Sequence, residues 1–191
     1  MRIFVLNGHP DPAPERLCHA LAAAYVEGAE AGGNEVRSLA VGQMEIPLLH
    51  SELDFHEGAL PPAAIQTQEA IDWAEHMVLV YPLWLGTMPA ALKALLEQTL
   101  RPDFAMDYTG RWPAGRLKGR SARVVVTMGM PALAYRWYYG AHSLKSLERN
   151  ILKFCGISPV RESLYGMVGE ADKRTRQGWL AEMRRLGERG Q

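Results

Sequence analysis

Residues 77–94, MVLVYPLWLGTMPAALKA, leave this chain few folds to choose from. Met77 to Val80 is a short apolar, β-branched run, the composition of a strand buried on both faces of a parallel sheet. Pro82 to Thr87 is broken by Pro, Trp and Gly and reads as a loop. From Met88 the pattern turns helical, with Pro89 near the first turn, where a missing N–H costs nothing. Strand, loop and helix in that order make half of a βαβ unit. In open α/β sheets ligands gather in the crevice beyond the carboxyl ends of the strands. Pro82 and Gly86 fix the directions of backbone N–H groups there, and Trp84 and Leu85 offer apolar surface to a flat aromatic ligand. The same residues also suit a plain connection whose Trp covers the core. The rest of the chain has to decide between the two.

Residues 2–6, RIFVL, form another buried-strand pattern. The turn-rich NGHPDPAP follows, and then a helical run over 15–31 in which Leu17, Leu21, Ala24 and Tyr25 recur at helical spacing. A helix start pointing back at a tight loop offers unpaired N–H groups and a favourable dipole to an anion, phosphate above all. His9 could donate there and Arg16 add charge, while Asp11 and Glu15 oppose it. A simple turn is the alternative. Neither the Walker pattern nor G-x-G-x-x-G occurs. Gly32-Gly33-Asn34 closes the helix, 35–41 reads as a second strand, and 42–62 is long and irregular.

A helix over 63–75 feeds the central strand, and one over 88–100 leaves it. Residues 101–118 place Phe104, Tyr108 and Trp112 four apart, but their Pro and Gly residues rule out a continuous helix. This excursion is either a surface loop with apolar anchors or an aromatic wall over a ligand or a dimer seam. Residues 122–127 are the next buried strand, leaving through Met128-Gly129-Met130-Pro131. Aromatic residues and His142 crowd 134–142, a helix spans 143–154, a polar-broken strand spans 158–166, and a charged amphipathic helix over 170–188 presents a mostly solvated outer face.

The 191 residues fit one domain, 1–191, and can bury roughly 70% of the unfolded surface without a metal or disulfide. Lys plus Arg equals Asp plus Glu at 21 each, which argues against a nucleic-acid binder and against a carrier that docks by acidic charge. Cys18 and Cys155 lack metal spacing and read as reduced thiols in a cytoplasmic protein, and no metal site is expected. No signal peptide is evident, and no apolar run reaches the length of about 18 residues that suggests a membrane span.

Strands alternating with helices predict a doubly wound α/β sheet of five parallel strands with helices on both faces. The flavodoxin-like order, 2-1-3-4-5, places a flavin at the switch point between the first and third strands. The first strand carries the phosphate loop, the third the Trp84 loop, and the fourth Thr127-Met128-Gly129. One loop for phosphate and two for a flat ring, at one sheet edge, is the layout a flavin requires.

Asn7-Gly8-His9-Pro10, Tyr81-Pro82-Leu83-Trp84 through Met88-Pro89-Ala90-Ala91-Leu92-Lys93, Phe104-Ala105 and Thr127-Met128-Gly129 resemble the NAD(P)H:quinone oxidoreductase family. The likeness runs to about Gly166. It implies a flavodoxin-like homodimer that binds FMN or FAD and reduces quinones by two electrons, with NAD(P)H as co-substrate. It also implies that His9, Arg16, Leu17 and Cys18 form the phosphate loop and that Pro82, Leu83, Trp84 and Leu85 lie along the isoalloxazine. Met128, Gly129 and Met130 would form the second wall, with Tyr135 and His142 as catalytic groups beside the flavin's N1–C2=O edge. Arg16 and Cys18 stand where the family commonly has a hydroxyl residue and an Asn. The rival from another class is a regulatory flavoprotein subunit of a potassium-efflux or other transport system. A one-electron carrier is disfavoured by the balanced charge, and a hydrolase by the missing G-x-S-x-G.

Overall fold

A computed structural model describes residues 1–191. In chain order the elements are β1 (Arg2–Asn7), α1 (Leu17–Ala31), β2 (Glu35–Ala40), α2 (Glu52–Glu57), α3 (Pro62–Trp73), β3 (His76–Pro82) and α4 (Ala90–Thr99). There follow β4 (Met106–Asp107), β5 (Ala114–Gly115), β6 (Ser121–Thr127), α5 (His142–Ser146), β7 (Val160–Tyr165) and α6 (Lys173–Glu188). Five strands pair in the order β2-β1-β3-β6-β7, every pair parallel. Counting only these strands, that is the expected 2-1-3-4-5 order. The β4–β5 ribbon is antiparallel and lies inside the aromatic excursion, where no regular structure was expected. Two residues a side give no periodicity to read.

The strand sequences account for their places. β3 is buried at every position and β6 at all but Ser121, which suits their apolar, β-branched runs to the sheet centre. The edge strands carry exposed charges, Glu35 and Arg37 on β2, Arg161 and Glu162 on β7. Such charges discourage further pairing. Alternate residues supply two cores. Phe4, Leu6, Leu79, Val124 and Val126 pack with α3, α4 and the 135–152 segment on one face. Ile3, Val5, Val78, Val80 and Val125 pack with α1 and α6 on the other.

α6 is mostly exposed, as its charges suggest, and buries only Met183 and Gly187 on its inner face. It lies backbone to backbone on α1: a Cβ on Gly28 would stand 2.0 Å from the Arg184 carbonyl oxygen, and one on Gly187 2.2 Å from that of Tyr25. Met183 is fully buried there. The regular helix expected over 143–154 is altered. Ala134–Tyr138 and Leu147–Leu152 wind as wider π turns on either side of α5, with Tyr139 N–H donating to the Ala134 carbonyl and Lys153 N–H to that of Glu148. Pro89 caps α4 from outside. No helix is long and apolar enough to cross a membrane.

Candidate functional site

β1, β3 and β6 are neighbours, so their outgoing loops share one rim, and hydrogen bonds tie those loops together. Gly8 N–H donates to the Val80 carbonyl at 2.7 Å, and Leu83 N–H to the Thr127 carbonyl at 2.8 Å. Cys18 Sγ lies 3.3 Å from Thr127 Oγ1. The His9 ring meets the Trp84 ring edge-on, with centroids 5.6 Å apart.

The first loop is set by its own side chains. His9 N–H donates to Asn7 Oδ1 at 3.1 Å, Asp11 N–H to His9 Nδ1 at 3.1 Å, and Ala13 N–H to Asp11 Oδ1 at 2.9 Å. Because Nδ1 accepts, the neutral His9 ring carries its proton on Nε2, which has no protein partner. Burial, and then the neighbouring His19, hold His9 below the ordinary imidazole value. His9 is therefore a neutral donor near pH 7. α1 begins without a side-chain cap, and the amides of Leu17 and Cys18 donate to nothing in the protein. Arg16 is half exposed and paired with Asp11, Nε to Oδ2 at 2.7 Å, so part of its charge is already matched. The Cys18 side chain faces inward at 1% exposure, and burial raises its thiol to about 11. Cys18 can offer a ligand its amide but not its sulfur.

The second loop is a tight turn. Trp84 and Thr87 exchange backbone hydrogen bonds at 2.9 and 3.0 Å around Leu85 and Gly86, which have φ of +46° and +79°. Trp84 is half exposed, and Leu85 projects entirely into solvent. Pro82 is buried, and Leu83 is partly buried against the core. In the third loop Met128 is buried, Met130 partly so, and Gly129 is exposed, with open space where a Cβ would stand. The rim thus has donors on one side, an indole in the middle and an open glycine backbone opposite.

Tyr135 and His142 occupy different settings. Tyr135 is 2% exposed, its hydroxyl 2.7 Å from Ser143 Oγ and accepting from Leu144 N–H at 3.2 Å. It pins the start of α5. His142 is exposed beside Gly140, where a Cβ would come within 2.8 Å of its Nε2. Gly140 and Ala141 hold φ of +65° and +48°, which turns the chain sharply before His142.

Two residues of the rim escaped the sequence reading as site residues, Asn7 and His19. His19 Nε2 is 2.9 Å from the Asp11 carbonyl, and its Nδ1 meets the Asn7 carboxamide. Its place one turn into α1, facing back over the loop, was the available signal. A groove of about 760 Å³ between α1 and β2 is lined by Asn7, Glu27, Glu30, Gln43 and Met44 among others. Phe55 lines a separate cleft with Leu96, Tyr108 and Phe154. No group of three His, Cys, Asp or Glu side chains is placed to hold a metal ion.

A family model described as "flavodoxin-like fold" matches residues 1–186. The chain belongs to that family. An uncharacterised NAD(P)H oxidoreductase of Haemophilus influenzae is 30% identical over 135 residues, 70% of this chain and 67% of that protein. NAD(P)H dehydrogenase [quinone] 1 of Rattus norvegicus is 25% identical over 149 residues, 73% of this chain and 54% of the rat protein. The chain thus spans between half and two thirds of the length of these curated relatives. The crystal structure of an FMN-dependent NADH-azoreductase from Bacillus anthracis in complex with FMN superposes with a TM-score of 0.76 at 18% identity, over 99% of each chain. None of these names is that of a transport-system subunit, so the regulatory alternative finds no support among them.

Proposed function

We propose that this single-domain protein is a flavin-dependent NAD(P)H:quinone oxidoreductase. The observation that carries the reading is the convergence of an uncapped helix start, a neutral His donor and an exposed Trp at one rim. A bound flavin would supply two-electron hydride chemistry between NAD(P)H and a quinone. His9 Nε2–H and the Leu17 and Cys18 amides would hold the phosphate, with Arg16 beside them. Pro82, Leu83, Trp84 and Leu85 would support one side of the ring system, and Met128, Gly129 and Met130 the other.

Tyr135 and His142 divide their roles in this reading. Tyr135 fixes the turn that carries His142 through Ser143 and Leu144. The exposed His142 imidazole is free to move a proton at the ring edge. FMN fits the rim better than FAD: the groove beside Asn7 is lined by no Lys or Arg that could hold a second phosphate. Trp112, Trp137 and Tyr138 are 75%, 79% and 83% exposed, more aromatic surface than a monomer usually shows, which favours a homodimer. Two unpaired buried thiols and a need for NAD(P)H suit the cytoplasm.

The test is direct. Purified protein, as isolated or after soaking with FMN, should be yellow and should oxidise NADPH or NADH when a benzoquinone is added. A colourless protein that takes up neither FMN nor FAD refutes the reading. His142→Gln should slow flavin reduction or reoxidation roughly 10²-fold in stopped-flow, and Tyr135→Phe, which removes only the hydroxyl that holds the turn, should slow it less. Unchanged rates in both remove them from the mechanism.

A further inference from the structure

A second histidine, His19 in the first turn of α1, faces the phosphate loop, and the hydrogen bonds that join them run in one direction only. Asn7 Oδ1 accepts from His9 N–H, which orients the carboxamide so that its NH₂ faces His19. His19 Nδ1 must then accept and cannot carry a proton. Its proton sits on Nε2, which donates to the Asp11 carbonyl at 2.9 Å. Asp11 N–H in turn donates to His9 Nδ1, and this leaves the His9 proton on the outward Nε2. The two rings stand 5.5 Å apart. The links form a closed set: the His9 amide orients Asn7, Asn7 sets the His19 tautomer, His19 holds Asp11, and Asp11 sets the tautomer of the His9 ring.

We propose that His19 is the positioning residue of the anion-binding loop, acting through Asn7 and Asp11 to aim the His9 donor at the flavin phosphate. The inference rests on the flavin reading above and adds a residue and a direction of proton donation to it. His19 would act at one remove from the ligand, through its bonds to Asn7 and Asp11. It ties the strand end to a loop that contains Pro10, Pro12 and Pro14 and has few backbone bonds of its own.

Comparing FMN with riboflavin, which lacks the phosphate, separates this role from general stability. In fluorescence titrations His19→Ala should bind FMN roughly tenfold or more weakly, the effect of losing buried hydrogen-bond partners. Its affinity for riboflavin should be unchanged. His19→Gln, whose carboxamide has a donor and an acceptor but cannot hold them at the spacing of the two ring nitrogens, should recover part of the loss. Equal losses for both flavins, or an FMN affinity that does not move, overturn the proposal while leaving the flavin reading intact. A wild-type protein that binds neither flavin overturns both. The tautomer is checked without any variant: ¹⁵N NMR of the wild type near pH 7.5 should show His19 and His9 protonated on Nε2. A proton on Nδ1 of His19 refutes the chain of bonds.

Discussion

Leu85 holds a backbone conformation that costs an L-residue about 1–2 kcal/mol, and it does so with its side chain wholly in water. Asn or Asp is the usual choice where both central residues of a two-residue turn have positive φ. Leu85→Asn should therefore stabilise the fold by about 0.5–1 kcal/mol in urea unfolding, while weakening flavin binding by removing apolar surface from the rim. A variant no more stable than the wild type would mean that the turn stores no strain. Gly140 carries the opposite constraint. Gly140→Ala puts a Cβ at φ +65° and against the His142 ring, and should cost roughly 1–3 kcal/mol. With flavin saturating, its quinone turnover should also fall. At this scale the sequence was partly legible. His9 and Trp84 stand in turn-rich, punctuated stretches that announce loops. His19 lies inside a helical run, and its importance comes from an Asn twelve positions earlier that only the folded loop brings near.

Among the elements, the contact between α1 and α6 is the one that composition hid. The solvated face that charge along α6 suggested is there, and the opposite face is fixed by glycines: Gly28 opposite Arg184, Gly32 opposite Glu188, and Gly187 opposite Tyr25. A glycine pattern shows no apolar periodicity, and its partner lies more than 150 residues away. Gly28→Ala should separate the helices and cost at least the 1–3 kcal/mol typical of overpacking, read as a lower urea midpoint with little change in m. The strands were easier to read. β1, β3 and β6 are dense in β-branched and apolar residues because both their faces are covered, and that density is visible before any partner is known. The β4–β5 ribbon was out of reach because its pairing is shorter than a period.

For the molecule as a whole, acid stability turns on His76. Its Nδ1 bonds Ser121 Oγ at 2.7 Å, its Nε2 has no partner, and burial, followed by Arg123 and Arg161, lowers it to about 4. The sign follows from which state takes the proton first. As pH falls below about 6.5 the unfolded chain protonates this His while the folded one resists until about 4. That contribution to stability is complete above 6.5 and is lost across the window, by on the order of 3 kcal/mol. His76→Gln should flatten this limb of a plot of unfolding free energy against pH, and an unchanged slope assigns the acid loss to other groups. Assembly belongs to the same scale. Sedimentation should show a dimer, and Trp137→Ser should weaken it, since the indole stands open on the isolated chain.

Cys18 lies beneath the first loop, sealed against Thr127. An alkylating reagent can reach that sulfur only when the loop lifts, and its rate of modification then counts liftings. Saturation with FMN should slow the reaction, turning an inert atom into a clock for the opening of the rim.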